Sequence, residues 1–457
     1  MRWLTRVSCI PTLALLVVSL LVTEAANGQQ LAGVFVDSEG VLRKRVFDDP
    51  SGQLMQARIR ASRADLDVNI ATPSPMRKVS LTRLEAELAK RLADGLPPTP
   101  DMQYLAGLTR LSYVFLYPDS GDIVIAGPAE GWTTDLSGRV RGMETGRPVL
   151  ELQDLVVALR LYAPGEQELP VIGCSIDPTQ EGLSRMQAFL AEARRHAQPT
   201  AEFAEYVVNG LRTNLGLQTV TVLGVPGETH FAHVMVEADY RMKLIGIGLE
   251  KPPIRMASYV DKAIPGKVAR NALQRWYFTP NYKCVKVTDD GLAMHLVGEG
   301  VKLIGEDEFV GGDGHRARTE SSDRASQMFV TGFTKKYPRL AAKSPVYAQL
   351  RNLIDMAIAA AYIQQEDYYG KANWEMKTLG DESVYSVETY GTPAHVETMV
   401  TSVWKRGQLM TPVGGGVNIQ AHLALDYDHI GEDADGQVAQ ARESTTVKLA
   451  PGQWWWD

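Results

Sequence analysis

Two periods of hydrophobic spacing run through this chain, and the places where one gives way to the other mark its elements. Residues 31–47, "LAGVFVDSEGVLRKRVF", read as two short strands joined at the turn-rich Asp37-Ser38-Glu39-Gly40. "PSPMRK" (73–78) reads as linker. "LTRLEAELAKRLADG" (81–95) has helical spacing, with Thr82 and Glu85 at capping-box separation and Gly95 past the last turn. "LSYVFLYPDSGDIVIAG" (111–127) predicts a hairpin about Pro118-Asp119-Ser120-Gly121. Helical "DLVVALRLY", the strand "LPVIGCSID", the helices "TQEGLSRMQAFLAEARRH" and "AEFAEYVVNGLRTNL", and the strand "QTVTVLG" follow in turn. This alternation places the chain in the α+β (mixed α/β) class.

Residues 275–305 change character: short apolar runs separated by "TPN", "TDDG" and "GEG" predict an antiparallel meander. The polar, Gly-rich run 305–326 reads as an exposed loop. "SPVYAQLRNLIDMAIAAAYIQQ" (344–365) is the longest helix candidate, with Ser344 at the N-cap and Pro345 at the first position. Asp355 interrupts its apolar run, so it is expected as a buried helix and not a membrane span. The expected organisation is a signal segment at 1–28, an N-terminal α+β region at 31–165, a central α/β region with the meander at 166–310, and a C-terminal helical region with a β tail at 330–457.

"PGETHFAHVMVEADYRMKLIGIG" (226–248) fits either period. As a strand it alternates cleanly; as a helix it gathers Phe231, Val234, Met235, Ala238, Met242 and Ile245 in one arc and His230, His233, Glu237, Tyr240 and Arg241 in another. Its length, a cap at Thr229 and the stop at Gly246 favour the helix. Glu237 to Arg241 and Asp239 to Lys243 then stand one turn apart, acid before base. These charges are expected on a solvated outer face.

The first 30 residues have the layout of a secretory signal: Arg2 and Arg6, an apolar run from about Cys9 to Val22, then small residues offering cleavage after Ala25 or Gly28. The mature chain is expected to be exported, to periplasm or medium, with no transmembrane anchor. The net charge is −7 and no dense Lys/Arg block occurs, which argues against nucleic-acid or anionic-membrane binding. Hydrophobic residues make up 45% and charged residues 22%, as in ordinary globular proteins. Of three cysteines, Cys9 leaves with the signal. Cys174 and Cys284 either pair as a disulfide, which an oxidising compartment permits, or stay as two separate buried thiols.

Candidate chemistry is sparse. His230, His233 and Glu237 lie within one helical face and form the candidate metal-ligand set, although the H-E-x-x-H pattern is missing. "DYDHIGEDADGQ" (426–437) resembles half a calcium loop, but its first and twelfth ligand positions fall on Gly431 and Arg442. No G-x-S-x-G elbow, P-loop lysine or dinucleotide G-x-G-x-x-G occurs, and Ser175 has no identifiable base. The glycine run after Val413 reads as a turn or bulge, and Trp454-Trp455-Trp456 as core packing or an interaction anchor.

The stretches "GDIVIAGPAEGW", "GCSIDPT", "ADYRMKLIGIGLE", "PNYKCVKV" and "DGLAMHLVGEGVKL" together resemble an exported bacterial family classed as a domain of unknown function, over about residues 80–400. The resemblance implies export and carries no assigned activity or catalytic residue. The expected function is therefore that of a non-catalytic binding or scaffolding protein of the cell envelope, with an envelope or extracellular partner and no cofactor. The alternative is a metal-assisted hydrolase using a divalent metal at His230, His233 and Glu237.

Overall fold

Two mixed sheets carry the fold in the computed structural model, which describes residues 31–457 except 167, 197, 199, 265–271, 311–315, 319–322, 405–407, 411, 412, 446 and 448. The expected signal segment, 1–28, lies outside the described residues. The large sheet is built from β1 (Leu31–Val36), β2 (Val41–Phe47), β6 (Ile172–Asp177), β7 (Gln218–Leu223), β8 (Ala272–Pro280), β11 (Val301–Val310), β12 (Arg316–Arg318), β13 (His395–Val396) and β14 (Val413–Ile419). Its order is β1-β2-β13-β7-β6-β14-β8-β11-β12. The second sheet takes β3 (Ser74–Ser80), β4 (Tyr113–Tyr117), β5 (Asp122–Ala129), β9 (Val285–Val287), β10 (Ala293–Leu296), β15 (Gly431–Glu432) and β16 (Trp455–Trp456) in the order β15-β9-β10-β4-β5-β3-β16. Most neighbours are antiparallel; β8–β14, β2–β13 and β9–β15 run parallel.

The α+β class is as expected, but the expected regions interleave. Each sheet takes strands from all three of them, so they share both sheets. The meander is also corrected. β8 and β11 pair with each other in the large sheet, while β9 and β10, between them in sequence, pair in the second sheet. The supposed linker 73–78 is mostly strand β3, and the loop at 305–326 begins with six residues of β11.

The glycine run is not a turn but part of the central strand β14, between β6 and β8. A Cβ at Gly415, where φ is +113°, would overlap the Trp276 backbone, and one at Gly416 would overlap the Cys174 carbonyl. Glycine lets three strands close up here.

The helices are α1 (Gln53–Asp65), α2 (Leu81–Ala93), α3 (Leu152–Leu161), α4 (Gln180–Ala193), α5 (Ala201–Leu215), α6 (His230–Gly246), α7 (Arg324–Ala341) and α8 (Pro345–Gln365) among longer ones. α8 is the buried helix expected: every residue from Val346 to Ile363 is buried. It reaches the second sheet's side through Tyr362 Oη to Gly291 O (3.0 Å) and packs on α3 and α6. α6 in turn lies on β6 and β14 of the large sheet. One continuous core therefore runs from Ile176 and Val417, through both helices, to Met294 and Ile125. α4 and α5 form a smaller core with Leu273 and Val400. α1, with no buried residue, and α7 had not been anticipated.

Three local expectations change. α2 is capped by Ser80, whose Oγ accepts from Arg83 N at 3.3 Å, and not by a Thr82–Glu85 box. Glu85 instead is buried and accepts from Trp374 Nε1 and from the N–H groups of Thr378 and Leu379. Cys174 and Cys284 are both free and buried, one in the large sheet and the other beside β9 of the second, so the disulfide reading gives way to two separate thiols. Burial pushes the Cys284 thiol up to about 12 and the Cys174 thiol well above its ordinary value. The tryptophans pack: Trp454 is buried, and β16 pairs with β3.

Candidate functional site

α6 is a helix, as expected, with Thr229 Oγ1 accepting from Ala232 N at 3.2 Å. Its charged face is not solvated. Glu237 is 3% exposed, Arg241 8%, and Asp239 and Lys243 0%. Both acid–base pairs form, Arg241 Nη1 to Glu237 Oε1 at 3.3 Å and Lys243 Nζ to Asp239 Oδ2 at 2.6 Å. Lys243 also donates to the carbonyls of Ile176 and Gly415, and Arg241 to Glu250 Oε1. A buried ammonium is tolerated only where its donors are taken up in this way. The face seals α6 against the sheet.

The expected ligand set His230, His233 and Glu237 does not converge. Glu237 is held by Arg139 and Arg241. His233 donates from Nε2 to Gly391 O at 2.7 Å, and its ring lies 5.5 Å from that of Tyr390. Burial, before any other influence, lowers its pKa. Only His230 keeps a place among candidate ligands, and its companions come from another helix.

Those companions are Glu151 and Asp154. Glu151 occupies the N-cap position of α3, yet its side chain makes no capping bond. It accepts instead from Gln153 Nε2 at 2.7 Å, while Asp154 sits in the first turn, where a carboxylate suits the helix dipole. His230 opens α6, so two helix N-termini meet here. His230 Nδ1 lies 2.8 Å from Asp154 Oδ2, and its Nε2 lies 3.7 Å from Glu151 Oε1 and 3.5 Å from Gln349 Nε2. One potential ligand atom from each of Glu151, Asp154 and His230 falls within 4.8 Å of the others, which makes this the metal-competent group among the described residues.

Burial opposes charge on the His230 ring, but Asp154 and Glu151 outweigh it, and its pKa rises to about 10. The ring is thus an imidazolium at neutral pH, clasped by two carboxylates. Burial raises the pKa of Glu151, against the pull of His230.

Glu151 also faces outward. It lines a cleft of about 440 Å³ with Tyr104, Gln153, Tyr385, Glu388 and Pro98. No Lys or Arg is among the described residues lining it. Tyr104, its pKa raised by burial first, also feels both Glu151 and Glu388. The outer wall is a strap pinned to the start of α6 by Tyr390 N to Glu228 O (2.7 Å) and a bridge between Thr229 and Thr389. A larger cleft of about 760 Å³ lies elsewhere, among Asp289, Asp290, Glu366, Tyr427 and Glu432. Two of its carboxylates already face cations, Glu366 with Lys371 at 4.0 Å and Asp290 with Arg442 at 3.9 Å. The smaller cleft is the better candidate because it adjoins a buried, charge-shifted cluster. The half calcium loop acts locally: Asp433 accepts from Val438 N and Ala439 N, and Asp435 faces Lys286 at 3.7 Å.

Glu151 and Asp154 escaped notice in the sequence because acids at a helix start are commonplace. The available signal was two carboxylates three residues apart heading "LVVALRLY", which is apolar apart from Arg160.

Residues 174–259 match a family model described as a protein of unknown function (DUF1598). Of the stretches carrying the earlier resemblance, "ADYRMKLIGIGLE" and all but the first glycine of "GCSIDPT" fall in this span, and the others lie outside it. The span runs from β6 through α6, so it includes His230 but neither Glu151 nor Asp154. No curated protein and no solved structure matches the chain.

Proposed function

We propose that this is an exported binding protein of the cell envelope whose ligand seat is the cleft beside Glu151, and that the group it holds is cationic, an amine or guanidinium. One observation carries the proposal: two carboxylates, Glu151 and Glu388, two tyrosines and a proline wall line a cleft of about 440 Å³ with no described basic residue. Aromatic faces and carboxylates together suit a cation with an apolar stem. The volume lies in the usual range for small-ligand sites. The signal-like start of the chain supports export.

The test is calorimetric titration with short Lys- or Arg-containing peptides and their Glu-containing counterparts, at low and high salt. Basic peptides should bind, more weakly in high salt. Glu388→Gln, at an exposed position, should weaken them several-fold. Equal affinity for acidic and basic peptides, or no change in Glu388→Gln, would overturn the reading.

A further inference from the structure

From the convergence of Glu151, Asp154 and His230 on one small buried cavity, we infer a binding site for a single divalent transition-metal ion, of the Zn²⁺ or Mn²⁺ class. The cavity measures about 10 Å³ and is lined by these three residues with Gln349, Asn352 and Met356 among others. That is room for about one small atom or ion. The three ligand atoms lie within 4.8 Å of one another, and His230 Nε2 and Glu151 Oε1 are 3.7 Å apart. Two ligands of one ion, each about 2.0–2.2 Å from it, stand at comparable separations.

A second observation points to a ligand independently of this clustering. The Asp154 side chain is 6% exposed, and its Oδ1 is buried with no hydrogen-bond partner. A buried carboxylate oxygen left so is costly, and a cation beside it removes the cost. Its other oxygen, Oδ2, holds His230 Nδ1 at 2.8 Å, which fixes the ring with Nε2 turned toward Glu151. Carboxylate support of this kind commonly orients metal-binding histidines.

The donor set selects among ions. One imidazole and two carboxylates, with no thiolate, suit divalent first-row metals better than Ca²⁺ or Mg²⁺, which prefer all-oxygen shells. On binding, the ion would displace the Nε2 proton of His230, and the two carboxylates with the neutral ring so formed balance a double positive charge. Three protein ligands leave a further position open. Glu151 lines both the cavity and the larger cleft, so the ion would sit beneath the cleft floor. The inference goes beyond the cleft reading and does not depend on it.

The test uses the full chain, stripped with chelator and dialysed, then titrated with Zn²⁺ and separately with Mn²⁺ at mildly alkaline pH. Calorimetry and elemental analysis should show one ion retained per chain for at least one of the two. Glu151→Gln and His230→Gln should each weaken it at least ten-fold, with circular dichroism confirming the fold. Should His230→Gln fail to fold, Glu151→Gln decides alone, since Glu151 lies at the cleft edge. His196→Ala is the control, because exposed His196 and Glu192, 3.4 Å apart on one helical turn, form a surface site that could capture metal adventitiously. Failure to retain either ion, retention unchanged in folded Glu151→Gln, or loss in His196→Ala overturns the site. Glu388→Gln should leave metal affinity unchanged while weakening basic peptides, so the two readings can fail separately.

Discussion

His230 Nδ1 and Asp154 Oδ2 meet at 2.8 Å across the N-termini of two different helices, α6 and α3. The contact joins residues 76 positions apart in sequence. Removing the carboxylate strands a largely buried imidazolium. Asp154→Ala should destabilise the protein by on the order of 3 kcal/mol, and a double cycle with His230→Phe should show strong coupling. Denaturant melts of the four proteins measure both; additive losses would show that the pair does not act as a unit.

Arg77, like Lys243, is fully enclosed, at 0% exposure. It donates to the carbonyls of Ile70, Ala106, Asn69 and Thr72 at 2.8–3.2 Å and pairs with Asp457 at 2.9 Å, its guanidinium lying over the Trp455 ring. Asp457 is 45% exposed. Asp457→Ala should therefore cost about 1 kcal/mol or less, as half-exposed pairs do. Arg77→Ala, which leaves four carbonyls short of a donor, should cost about 3 kcal/mol or more. Equal losses in thermal unfolding would contradict this ranking.

Asp239 is raised to about 6 by burial first, against Lys243 on its own helix, with Asp177 on β6 adding to the rise and Arg275 on β8 opposing it. The unfolded value is about 3.9, so between those two pH values the folded chain holds the proton more tightly. The stability this residue contributes is complete below about pH 4 and is lost as pH rises through 6. Asp122, whose pKa is lowered in the fold, acts in the opposite sense, so the comparison must be between proteins. Chemical denaturation at pH 5 and pH 7 should show a shift in wild type that differs from Asp239→Asn in this direction. An identical shift in both would remove Asp239 from the account.

Gly416→Ala and Gly332→Ala should move stability in opposite directions. Gly416 has the Cys174 carbonyl against it, and the substitution should cost about 3 kcal/mol or more, or prevent folding. Gly332, within α7, has nothing within 4 Å of a new Cβ, and alanine there should add up to about 1 kcal/mol. Paired thermal melts read the contrast directly.

Cys174 and Cys284, both buried with thiols held protonated, should resist alkylation in the native protein and react fully in guanidinium. Non-reducing peptide mapping should find no bridge between them. Detection of that bridge would reverse the assignment of two thiols.

The elements legible in the sequence were those with a clean period and ordinary punctuation, such as β4–β5, α4, α5 and α8. What stayed hidden had a physical cause in each case. Asp239 and Lys243 have the same spacing whether they face water or are buried against each other, with Lys243 also on two carbonyls, so periodicity predicted the pairs but not their burial. β3 and β14 were missed because Pro75 and the glycines of 414–416 ordinarily punctuate chains; here one sits in a strand with a register shift and the others permit close strand approach. The candidate site was half visible. His230 was singled out, but Glu151 and Asp154 join it only because α3 and α6 are brought together by α8, a long-range fact that no local pattern encodes.

The threading of both sheets also bears on how this chain reaches its native state. β6 and β8 are separated by β14, made more than 100 residues after either, and β3 waits for β16. Neither sheet can close on a growing chain. Contacts so distant in sequence make folding slow. A nascent chain of this design can complete neither sheet until β14 and β16 have been made.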